Sequence, residues 1–138
     1  DAITNSEDHD LMLTLGDATG FVRVEQPMTL AWRRHQGGTT QNLKHTIRGI
    51  EFLIKGERDN RYPGGKTRRH QRRVFLTART RPVVLECLSR GYIQKSFQLF
   101  RSVFLWNISQ GRIKFIVGFF VRLAAVQLKN TRPSPKVT

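Results

Sequence analysis

The stretch QNLKHTIRGIEFLIK, residues 41–55, decides how this chain is read. Taken as an alternation, Lys44, Thr46 and Arg48 fall on one side, and Leu43, His45 and Ile47 on the other. A half-buried antiparallel strand carries this period of two. Past Gly49 the apolar positions move from odd (Leu43, Ile47) to even (Ile50, Phe52, Ile54). One extra residue in a strand produces that shift, so the pattern predicts a β-bulge near Gly49. The opposite face is cationic as far as Glu51.

Working outward, LMLTLG (11–16) and FVRVEQP (21–27) read as two strands joined by the turn DATG (17–20). TLAWRRHQ (29–36) alternates again, with Thr29, Arg33 and His35 on the face opposite Leu30 and Trp32. Residues 56–71 hold Pro63-Gly64-Gly65 and no apolar period, and are expected to be a loop. RRVFLTARTRPVVLE (72–86) returns to strand character. From Ser89, a candidate N-cap, the period changes: Tyr92, Ile93, Phe97, Leu99, Phe100, Val103 and Phe104 form a helical stripe. Residues 112–129 are apolar nearly all round. A buried or partner-facing helix is the first reading, and their β-branched and Phe content keeps a strand open. The ends, 1–10 and 130–138, are polar and expected to be flexible, within one domain spanning 1–138. Strands first and helices last predict an α+β fold with an antiparallel sheet. The apolar helices would dimerise.

The charge narrows function more than any motif does. Lys and Arg number 24 against ten acids, a formal net charge of +14, and no acid follows Glu86. A surplus of that size repels itself in a compact chain and suits a polyanionic partner. The longest apolar run, FIVGFFVRLAAV (115–126), is interrupted by Arg122 and too short to span a bilayer, which takes roughly 20 apolar residues; no membrane partner is expected. A single Cys87 excludes an intramolecular disulfide, and the four His have no metal spacing. No metal, cofactor or small-molecule substrate is expected, and no catalytic group. GGKT (64–67) ends like a phosphate loop, but Asn60 stands where that motif has its first Gly. An enzyme handling phosphoryl groups is thus the weakest of three readings.

On an antiparallel sheet, Thr29, Arg33 and His35 would lie beside Lys44, Thr46 and Arg48, with Arg73, Thr77 and Arg79 as a third row. Arg and Lys would contact RNA phosphates, and Thr and His the bases or sugars. Aligning 72–81 on Pro82 instead would turn Val74, Leu76 and Ala78 toward RNA, and the register that buries these three is preferred.

QNLKHTIRGIE (41–51), LTLGDATGFVRVEQP (13–27) and RRVFLTARTRP (72–82), with Ser89 at the start of the helical part, resemble the coat proteins of the small single-stranded RNA bacteriophages. The resemblance implies an N-terminal hairpin, a sheet, and two helices that clasp a partner in a homodimer. It also implies assembly of a virion shell in a bacterial cytoplasm, with single-stranded RNA bound on the sheet's inner face. Lys44, Thr46 and Arg48 match the RNA-facing positions; Thr29, Arg33 and His35 follow by strand parity. The competing expectation is a ribosomal or other ribonucleoprotein subunit, held to folded RNA by the same charges.

Overall fold

Residues 43–58 form a helix, not a bulged strand. A computed structural model describes residues 6–16 and 42–131, and among them there are five helices and no strand. They are α1 (Glu7–Leu15), α2 (Leu43–Arg58), α3 (Gly65–Ser89), α4 (Ile93–Ser109) and α5 (Ile113–Thr131). The expected α+β fold with an antiparallel sheet is therefore corrected: 11–15, 43–55 and 72–86 are helical. The expected turn at 17–20 and the strands at 21–27 and 29–36 lie outside the described residues.

The shift at Gly49 has a plain cause. Leu43, Ile47, Ile50, Ile54 and Glu57 are buried, and their spacing of four, three, four and three is the 3.6-residue repeat of a helix. Three residues on either side of the shift look like a strand because a short window does not separate the two periods. Asn42 caps the helix, its side-chain oxygen accepting from the amides of Lys44 (3.1 Å) and His45 (3.4 Å).

Three helix ends are closed by the same local device. The amides of Arg61, Tyr92 and Arg112 donate to the carbonyls of Gly56, Cys87 and Asn107, five residues back. The amides of Asn60, Gly91 and Gly111 donate three residues back, to Glu57, Leu88 and Ile108. This Schellman closure needs a left-handed residue, and Asn60 (φ 54°), Gly91 (80°) and Gly111 (66°) supply it.

Helix α3 overrides the strand signals of 72–86. Arg72, Leu76, Thr80, Val83 and Cys87 are buried at helical spacing. The β-branched Thr80 satisfies its hydroxyl on the Leu76 carbonyl (2.7 Å), which keeps it compatible with a buried helix. Pro82 stands on the exposed side, opposite this stripe, where water can reach the Ala78 carbonyl that a proline leaves without its helical donor. Ser89, expected to open the next helix, closes α3, and α4 begins after Tyr92.

The chain divides into two compact units, Asp1–Arg72 and Arg73–Thr138. In the first, α1 lies against α2. Tyr62, in the turn after α2, is buried; its hydroxyl donates to Asp10 of α1 (2.9 Å) and accepts from Arg61 (3.0 Å), which also pairs with Asp10. A Cβ on Gly56 would come within 2.9 Å of the Tyr62 hydroxyl, so the helix is bare where the ring crosses it. Burial, and then the bond to Asp10, push the Tyr62 pKa from 10.0 up to about 12. An unfolded tyrosine ionises near 10, so the stabilisation is complete below pH 10 and is lost as pH rises through 12. Alkaline denaturation followed by circular dichroism should show that loss, and Tyr62→Phe should flatten it over the same pH window.

In the second unit α4 lies against α5. Phe100 is the hub: it stacks on Phe119 at 3.9 Å between centroids and 6° between planes, and meets Phe104, Phe115 and Phe120 at 5.5–5.9 Å. Buried Ser96 of α4 donates to the Val84 carbonyl of α3 (2.7 Å), joining those helices.

Candidate nucleic-acid interface

Among the described residues, one face of α2 carries a row of exposed cations. Lys44, Arg48, Lys55 and Arg58 are exposed at spacings of four, seven and three, which line up along a helix, and Glu51 falls on the same side while Glu57 is on the buried one. The buried stripe from Leu43 to Glu57 holds the opposite side. At its far end Lys55 pairs with Asp59, one turn on. Beyond the turn, α3 opens with exposed Lys66 and Arg68 and has no acid in its first turn. The positive end of that helix dipole therefore adds to side chains of the same sign.

The turn between α2 and α3 is held by a buried ion pair. Arg72 donates to the Glu57 carboxylate (2.6 Å) and to the carbonyls of Pro63 (2.6 Å) and Gly65 (2.9 Å). Arg69 reaches Asn60 Oδ1 (2.7 Å). This answers the phosphate-loop resemblance. GGKT does open a helix, as the motif requires, but a helix and not a strand precedes it. The loop turns carbonyls to a guanidinium, whereas a phosphate needs converging amides.

Strand parity groups the expected RNA-facing residues one way; the helices regroup them. Lys44 and Arg48 stay together and exposed. Thr46, two residues from each, turns away from them, is half-buried, and donates to the Asn42 carbonyl (3.3 Å). The third row falls in the second unit and comes apart. Arg73 is half-buried with its guanidinium 5.0 Å from the Trp106 ring. Thr77 is buried between the Val74 carbonyl (3.0 Å) and the Gln110 side chain (2.8 Å). Arg79 is exposed and leans over Phe75 at 5.4 Å. Thr29, Arg33 and His35 lie outside the described residues. Strand reading missed Lys55, Arg58, Lys66 and Arg68. The spacing of 44, 48, 55 and 58 was the available signal for the first two.

Among the described residues, no group of His, Cys, Asp and Glu is placed to hold a metal ion. The segment 41–51 that resembles the phage coat proteins lies largely on α2. Comparison with known proteins finds no family model, no curated protein and no solved structure that matches the chain.

Proposed function

We infer that the chain is an RNA-binding subunit of a ribonucleoprotein, gripping RNA through its phosphates with the cationic face of α2. The row Lys44, Arg48, Lys55, Arg58, exposed on one side of a helix whose other side is buried, carries this reading. Four cations along about four turns follow a phosphate backbone without reading bases, so recognition is electrostatic and tolerant of sequence. Shell assembly rests on a homodimer built around a sheet, and with helices at 43–55 and 72–86 the RNA contact is what is carried forward.

Fluorescence anisotropy with a mixed-sequence single-stranded RNA, titrated between about 50 and 200 mM salt, tests this. Arg48→Ala should weaken binding and flatten the log–log salt slope by about one unit. Thr46→Val should change neither, because a helix places it away from Lys44 and Arg48, whereas a strand would place it between them. An Arg48→Ala slope equal to the parent's, or no binding at the lowest salt, overturns the assignment.

A further inference from the structure

A second surface, in the second unit, matches a different kind of anion. On α5, Ile113, Val117, Phe120 and Val121 are 54%, 55%, 48% and 63% exposed, and they recur at helical spacing along one side. Phe115 and Phe119 on another side of the helix meet Phe100 of α4. Phe120 borders both, since it also meets Phe100 edge-on at 5.5 Å, whereas Ile113, Val117 and Val121 are additional to the residues that pack α5 on α4. Lys114 is exposed beside the stripe, Arg122 is exposed further round the helix, and Arg112 is exposed at its start. No acid occurs anywhere after Glu86.

We propose that α5 lies on an anionic lipid bilayer, with Ile113, Val117, Phe120 and Val121 in the acyl boundary and Arg112, Lys114 and Arg122 against the headgroups. An amphipathic helix with an apolar stripe beside cations, too charged to cross, takes this position. No helix among the described residues is long and apolar enough to span a membrane. The run that led to an expectation of no membrane partner is too short to cross, but it is long enough to lie flat. A second copy of the chain is a poorer occupant: Lys114 borders this face, and neither α4 nor α5 carries an acid to meet it across a two-fold contact. The unit is already crowded with like charge. Burial, then the nearby charge of Arg112, lower the Arg81 pKa from its ordinary value. RNA has no acyl layer to cover the apolar stripe.

Flotation of the nuclease-treated full chain with phosphatidylcholine vesicles, with and without about 30% phosphatidylglycerol, tests the proposal. Anionic vesicles should bind about a hundredfold more tightly than neutral ones, since each surface cation contributes about fivefold. Val117→Asp with Phe120→Ser should lower binding to anionic vesicles about tenfold. The same pair should leave the RNA salt slope unchanged, which separates this surface from the one on α2. Val121→Asp is a second probe of the stripe should the pair disturb folding. Three outcomes overturn the proposal. One is no flotation with anionic vesicles. Another is binding that the stripe substitutions do not touch, which is adhesion by charge alone. The third is a concentration-dependent dimer that those substitutions abolish, which gives the face to a second copy.

Discussion

Arg72→Ala should destabilise the chain by about 3–5 kcal/mol, a large share of the 5–15 kcal/mol typical of a folded domain. Arg72 and Glu57 are 6% and 1% exposed, so removing the cation leaves a carboxylate away from water without its 2.6 Å partner. The substitution also strips donors from the Pro63 and Gly65 carbonyls. The three acceptors are met by different nitrogens of one planar group. Arg72→Lys should therefore recover little, because an ammonium on a flexible stem does not reproduce that fork. Glu57→Leu with Arg72→Met should lose less than Arg72→Ala alone, since no charge is then left buried. Urea denaturation followed by circular dichroism gives all three values. A cost for Arg72→Ala within about 0.5 kcal/mol, the range of an ordinary surface change, would place the pair in solvent. The same variant should weaken RNA binding, since it loosens the turn that joins α2 to the cationic start of α3.

Phe100→Ala should cost about 3–5 kcal/mol in the second unit. The ring is 3% exposed and touches four other phenylalanines, one of them in a parallel stack at 3.9 Å. The cost combines lost burial with a cavity that the stiff rings around it fill poorly. Phe120→Ala is the internal comparison. It removes an equally large ring that meets Phe100 edge-on but is 48% exposed, and should cost less than about 1 kcal/mol. Equal costs at the two positions would mean that α5 does not pack on α4 through Phe100.

The helical stripe at 92–104 was legible because seven apolar residues span more than three turns, long enough to separate a period of 3.6 from one of two. The stretch 43–48 was not, because Leu43 and Ile47 satisfy both periods. Extending the window to Ile54 distinguishes them, with Ile50 and Ile54 continuing the helical row and the supposed bulge dissolving. At 72–86 local preference pointed firmly the wrong way. Val74, Thr77, Thr80, Val83 and Val84 favour strands, and Pro82 disfavours a helix interior. Tertiary burial of the 72, 76, 80, 83, 87 row outweighed those preferences, which amount to tenths of a kcal/mol per β-branched residue.

By itself the sequence determined the excess of positive charge, the lack of acids after Glu86, and the residues able to stop helices at Asn60, Gly91 and Gly111. These follow from composition and from backbone conformations that few residues adopt. Only the tertiary structure decided which cations face outward. Lys44 and Arg48 do, while Arg72 is spent on Glu57, and Arg73 lies over Trp106. Charge is a property of the residue, but availability depends on what folding brings within hydrogen-bond or ring-contact distance. Tertiary structure also decided between strand and helix at QNLKHTIRGIEFLIK. A strand needs a neighbouring strand to satisfy its backbone, whereas a helix satisfies its own and asks the rest of the chain only to cover one face.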